Sequence, residues 1–416
     1  MNLVQRMLSS TLLVAALAAA TTPADAAPCD ALKKLLPGGA AGTDAVPTVV
    51  YVTGSSAVKP VLAELAPVVF AASTRPMTIV YRSQGSCLGP GSILAGVPMA
   101  TNTTTTAVYW DPNSTTIASA TKTAREESCT LAQDTKADLG VSDVFAQTCG
   151  YAQQGIPSGF ADFQGPIQAM TFAVPKQSSQ TVISAEAAYL TFGLAKLAPW
   201  TDPAFLYRRN ANSGTQQLIA TAIGVDATRW LGVDRGSSDG VFASLSAVVS
   251  QADAEKSIGI LAADYSSRQE VKQLAYQHYG QKCGYVPDVT KLDKRNVREG
   301  RYALWGPLHF FAAVDGSNLA TKLEVRDLIA FIQGNQPPPL GVNLIRLEAN
   351  IHVVPPCAMK VQRTSEMGPI SAFNPQRRCG CAFDYEATGT ATCKACTSSA
   401  QCTGTESCYF GFCEAN

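Results

Sequence analysis

From residue 48 the sequence repeats one local pattern: a short apolar run, a Gly/Ser turn, then a helix-like stretch. Residues 48–53 (TVVYVT) are β-branched and apolar almost throughout, which suits a parallel strand buried on both faces. Gly54-Ser55-Ser56 then turns the chain into a predicted helix over 57–72, with Pro60 in a first turn that needs no N–H there. Residues 77–82 form a second strand, and Gly85-Ser86-Cys87-Leu88-Gly89 a second glycine turn. Strands separated by helices cannot pair as hairpins, so this order predicts an α/β fold. The pattern returns with strands over 167–174, 205–208 and 257–261. Helices are expected over 185–197, 216–223, 270–279 and 321–333, the last ended by Pro337-Pro338-Pro339. Residues 101–136 interrupt it with a Thr/Ser/Asn-rich insertion, read as a β-hairpin pairing 108–110 with 115–118.

The start of the chain reads as a signal peptide over residues 1–26: Arg6, an apolar run over 7–20, and Ala24-Asp25-Ala26 before the cut. That run is too short to span a bilayer comfortably. Pro28 directly before Cys29 argues against a lipid anchor. Export is therefore expected, to the periplasm or the cell surface. In that compartment thirteen cysteines read as disulfides. Cys29, Cys87, Cys129, Cys149, Cys283 and Cys357 are scattered. Cys379, Cys381, Cys393, Cys396, Cys402, Cys408 and Cys413 crowd a tail too poor in aliphatics to fold without bridges. An odd total leaves one thiol free, paired between chains or modified. Cys393-x-x-Cys396 has zinc-like spacing, but the intervals after Cys396 are not those of a zinc ribbon, and no metal site is expected. Nor do His278, His309 and His352, far apart in sequence, suggest one; they are read as surface or packing residues, and Trp110, Trp200, Trp230 and Trp305 as packing. A net charge of zero, with no basic stripe, excludes nucleic acid as a partner.

The chemistry concentrates in turns at strand ends, where ligands of α/β sheets bind. Ser213 sits at a helix N-cap, so Ser213-Gly214-Thr215 offers backbone N–H groups, two hydroxyls and the positive end of a helix dipole. Arg209, four residues earlier, adds a fork-shaped donor for a tetrahedral anion. With Gly54-Ser55-Ser56-Ala57, Gly85-Ser86 and Val141-Ser142-Asp143 there are four such turns.

In this order the turns resemble those of the periplasmic phosphate-binding proteins of high-affinity phosphate ABC transporters. GSSAVKP (54–60), Gly85-Ser86, DLGVSD (138–143) and RNANSGT (209–215) carry the match, across roughly 46–354. The resemblance implies the two-lobed type II periplasmic binding protein fold, with crossover strands near 167–175 and 301–310. Lobe I would comprise 27–168 and 308–356, with the insertion 101–136, and lobe II 169–307. Residues 357–416 would add a linker and a small disulfide-rich module. It further implies inorganic phosphate as ligand, no cofactor, a transporter permease as partner, and no catalysis. The implied ligand set is Ser55, Ser56, Ala57, Val58, Lys59, Ser86, Asp143, Arg209, Ser213, Gly214 and Thr215. An aspartate facing an anion makes sense if the ligand keeps a proton to donate; phosphate and arsenate do, and sulfate does not.

Two departures stand out. Ala57-Val58 lack the threonine usual in the family, so that hydroxyl is missing unless Ser55 or Ser56 replaces it. Ala211 replaces the acidic residue that commonly braces the arginine; Arg208 next door either substitutes or is simply solvated. Two further readings remain: a surface interaction protein with a vestigial or altered anion site, docking through its Cys-rich tail, and a phosphoester hydrolase using Ser213 or Asp143. The last lacks a nearby histidine or metal cluster. Among the cysteines, Cys129 and Cys149 flank DLGVSD and would pin the insertion beside the site, and a bridge at Cys87 would stiffen the second turn.

Overall fold

A computed structural model describes residues 26–32, 48–72, 74–110, 126–338 and 341–415. Residues 1–25 of the expected signal peptide and the expected strand 115–118 lie outside these. In chain order the strands of the main sheet are β1 (Thr48–Gly54), β2 (Met77–Ser83), β3 (Thr106–Trp110), β4 (Glu126–Thr130), β5 (Leu139–Ser142) and β6 (Phe160–Pro175). After β7 (Val182–Ser184), which lies apart, come β8 (Leu206–Arg208), β9 (Val233–Asp234), β10 (Ile258–Ala262) and β11 (Val271–Gln273). β12 (Ala275–Gln277) pairs with β7, and β13 (Trp305–Ala313) rejoins the main sheet.

These eleven strands run in the order β4-β3-β2-β1-β5-β13-β6-β10-β8-β9, with β11 also on β6. One parallel group, β2-β1-β5, and a second, β10-β8-β9, are bridged by the antiparallel pair β13 and β6. β6 is long enough to belong to both: Phe160 to Ala169 pair with β13, while Met170 to Pro175 pair with β10 and β11. A third segment touches the crossing, where Ile167 and Val354 exchange both backbone hydrogen bonds at 2.7 and 3.0 Å. This is the expected α/β fold: two lobes, each with its own core, and two strands crossing between them. Val50, Leu62, Ile79 and Leu328 pack in one core; Phe172, Phe192, Ile219 and Tyr276 in the other. All four tryptophans are buried.

Three elements differ from expectation. Residues 270–279 are not helical but form β11 and β12, because Val271 lies against β6 and the buried Leu274 and Tyr276 follow a two-residue alternation. The helix expected over 185–197 shrinks to Ala185–Ala188 and a π turn over Tyr189–Gly193. There the Phe192 ring is held 4.5 Å from that of Trp230, and its carbonyl accepts from Leu231 N at 2.7 Å. In the insertion, β3 pairs with β4, so the hairpin returns over Glu126–Thr130.

The bridges are Cys29–Cys129, Cys87–Cys149, Cys357–Cys379, Cys381–Cys393, Cys396–Cys408 and Cys402–Cys413, leaving Cys283 free and exposed. Cys129 and Cys149 therefore do not act together: the first anchors β4 to the segment at Cys29, the second reaches the turn at Cys87. The tail is also less separate than its composition suggests. The helix Gly380–Thr388 sets Phe383 into the core of Phe172 and Trp305, with Cys379 and Met359 beside it.

Candidate functional site

Gly54 ends β1 at φ 125°, and a Cβ there would fall 1.9 Å from the Val141 carbonyl oxygen, so only glycine fits where β1 meets β5. That approach sets Ser55 opposite Asp143. Ser55 N donates to Val141 O at 2.9 Å, and Ser55 Oγ caps the following turn by accepting from Ala57 N at 3.0 Å. The same hydroxyl donates to Asp143 Oδ1. Tyr81, buried on β2, donates from its OH to Ser55 O at 2.6 Å.

The second turn meets the helix Gly214–Ile223. Cys87 N donates to Asn212 O at 3.1 Å, and Ser86 Oγ accepts from Gly214 N at 3.0 Å. Gly214 again has no room for a side chain: its Cβ would lie 2.7 Å from Asp143 Cβ. Asp143 is 5 % exposed. Burial raises its pKa, while the Ser55 hydroxyl, the Arg209 guanidinium, Ser86 and His309 pull it down.

Arg209 is 6 % exposed. Its Nε donates to Gly236 O at 3.0 Å and its Nη1 to Ser238 Oγ, while its backbone N donates to Gln216 Oε1 at 3.2 Å. Burial lowers its pKa, opposed first by Asp143 and then by Tyr265, Asp264 and Asp239. This fixes the consequence of Ala211. Carbonyl, hydroxyl and more distant carboxylates take the place of the adjacent acid. Arg208 is not the substitute: another cation, it donates to Asp234 and Gly232 O, each at 3.2 Å, and to the Arg209 backbone O at 3.3 Å. Thr215 Oγ1 donates to Met170 Sδ at 3.6 Å, and Ser213 Oγ is buried without a hydrogen-bond partner among the described residues.

These groups border a cleft of about 530 Å³. Ser56, Ala57, Lys59, Asp143, Arg209 and Thr215 line it directly. Ser55, Ser86, Ser213 and Gly214 stand just behind, and Val58 is turned into the core of the β1 lobe. Lys59 is paired with Glu126 at 2.8 Å. The far wall, which the sequence reading missed, holds Ser238, Asp239, Asp264, Tyr265 and Arg268, with His352 also at the rim. Tyr265 OH donates to Asp239 Oδ1 at 2.5 Å, and Arg268 lies 5.1 Å over the Tyr265 ring. Burial pushes Asp264 up to about 6. Its turn after β10 is a fifth strand end, and it carries no glycine to mark it. His309, by contrast, is a packing residue: Phe145 lies 4.4 Å from its ring and Nδ1 meets Asp162 at 2.8 Å.

No known protein family matches the sequence, and neither does any curated protein. Among solved structures, a Clostridium perfringens protein solved with bound phosphate is 13 % identical, covering 74 % of this chain and 99 % of its own, with TM-score 0.49. An ABC-type phosphate transport receptor from Vibrio cholerae is 13 % identical, covering 73 % and 99 %, with TM-score 0.48. The PstS protein of Borrelia burgdorferi is 13 % identical, covering 74 % and 98 %, with TM-score 0.42. Likeness at this level bears on neither ligand nor activity.

Proposed function

We propose that this chain is an exported, non-catalytic solute-binding protein whose cleft captures a protonated tetrahedral oxyanion, inorganic phosphate. The observation that carries the reading is the pairing of Asp143 and Arg209 on one cleft, beside the start of the helix Gly214–Ile223. Arg209 and the helix dipole attract an anion. The carboxylate of Asp143 accepts a proton from the ligand and repels one that has none. In this reading lobe I (27–168 with 308–356) and lobe II (169–307) close on the ligand, which a membrane permease then receives. The disulfides of the body and tail accord with an oxidising compartment.

A second reading has one observation in its favour. The Ser55 hydroxyl bonds Asp143, Gly214 N bonds Ser86, and Gly214 packs against both Ser86 and Asp143. Ligand binding must exchange these bonds for new ones. If it does not, the anion corner is structural and the chain acts through a surface partner. Calorimetry of the mature protein with phosphate, arsenate and sulfate decides between them. Heat with phosphate and arsenate but none with sulfate is expected; no heat with any oxyanion refutes the phosphate reading.

A further inference from the structure

Residues beyond 357 do more than cover the core. β14 (Val361–Gln362) and β15 (Ser371–Ala372) pair antiparallel, and the loop between them reaches the back of the Asp143 turn. Glu366 Oε2 accepts from Phe145 N at 3.1 Å and from Thr148 Oγ1 at 3.4 Å. Phe145 is two residues after Asp143, and Thr148 lies in the 3-10 turn Ala146–Cys149. Cys149 in turn bonds Cys87, whose neighbour Ser86 accepts from the N–H of Gly214, itself packed against Asp143. On the same loop Arg363 lies 4.1 Å over the Trp305 ring and donates to Ala303 O at 3.2 Å, gripping the start of β13.

We infer that Glu366 is a positioning residue of the anion site, supplied by the C-terminal extension to hold the turn that aims Asp143 into the cleft. This rests on the phosphate reading above. Glu366 has no ion-pair partner among the described residues within reach, and its Oε1 is buried without a hydrogen bond, an arrangement that costs stability. What Oε2 holds is the backbone of the site turn. Burial pushes the carboxyl up to about 7; His309, the Phe145 N–H and Arg363 oppose that shift, and His309 itself is bonded to Asp162.

The test compares Glu366→Leu, Glu366→Gln and Thr148→Val in the full mature chain, measuring phosphate affinity, thermal stability and hydrogen exchange of residues 143–149. Glu366→Leu should speed exchange in that turn and weaken phosphate binding roughly tenfold, equivalent to about 1.4 kcal/mol. Glu366→Gln keeps the acceptor and should restore both. Thr148→Val should fall between and guards against a leucine variant that does not fold. Wild-type phosphate affinity in folded Glu366→Leu overturns the inference alone, as does unchanged exchange. Absence of phosphate binding by the wild-type chain refutes the phosphate reading, and the brace falls with it.

Discussion

Arg298→Ala should be the most damaging single change outside the cleft. Arg298 is 4 % exposed and serves four acceptors of the region it joins. Its Nε donates to Ala358 O at 3.0 Å, Nη2 to Gly380 O at 3.2 Å, and Nη1 to Asp293 O at 3.3 Å and to Asp384 Oδ1 at 2.5 Å. The guanidinium also lies 5.3 Å from the centre of the Phe383 ring. Truncation leaves the Asp384 carboxylate and three carbonyls without their donor. Loss of one member of a buried pair costs about 3–5 kcal/mol, and an orphaned carbonyl adds ~1 kcal/mol or more where water cannot reach it. Since the Cys357–Cys379 bridge keeps the segment tethered, part of that loss is recoverable by rearrangement, and about 4 kcal/mol is expected overall. Urea unfolding followed by tryptophan fluorescence measures it, because Trp305 and Trp230 lie in the same core as Phe383. Arg298→Met with Asp384→Leu, which removes both charges, should recover much of the loss. A deficit below ~1 kcal/mol in Arg298→Ala would show that the C-terminal segment is not held as described.

Asp143→Asn should let sulfate bind within about tenfold of phosphate, since the like-charge repulsion, typically several kcal/mol, is gone; competition calorimetry reads the ratio. Removing the Cys87–Cys149 bridge as a double alanine variant should cost about 2–5 kcal/mol of stability, seen in thermal melts, and weaken phosphate binding by freeing the turns of Ser86 and Asp143. Glu348 is 1 % exposed and neither of its oxygens has a hydrogen-bond partner among the described residues, so burial holds its pKa well above the usual range. A carboxyl with a raised folded pKa contributes most below the unfolded value of about 4.3 and loses stability as pH rises towards the folded one. Glu348→Met should therefore raise Tm more at pH ~8 than at pH ~5, and equal gains at both would refute the assignment.

Much of the cleft was legible because backbone chemistry leaves local marks. Gly54, Gly85 and Gly214 stand where no side chain fits, and each such turn announces a close approach of two strand ends. Asp143 and Arg209 could be placed on a shared site from the four turns together. What the sequence withheld depends on packing between distant segments. Nothing near Arg209 indicates that Gly236 and Ser238 would hold it, and the turn of Asp264 has no glycine. Residues 270–279 mix helix-permitting residues with an alternation too short to stand out, so pairing with β6 and β7 decides their state. The tail's bridges were legible from its cysteines, but not the contacts by which Phe383 and Arg298 fasten part of it to the body.

The unbroken hydrogen-bonded path from β4 to β9 has a mechanical consequence. Where two halves are joined by loops, they swing freely about a few torsions. Here they share β6, whose amides are committed on both sides of the crossing, so relative movement has to twist a ladder and behaves like a torsion spring with a preferred rest angle. The compliance is unevenly distributed. The pairing of β13 with β6 shifts register between Pro307 and His309, and proline contributes no donor there, so the spring is softest at that point.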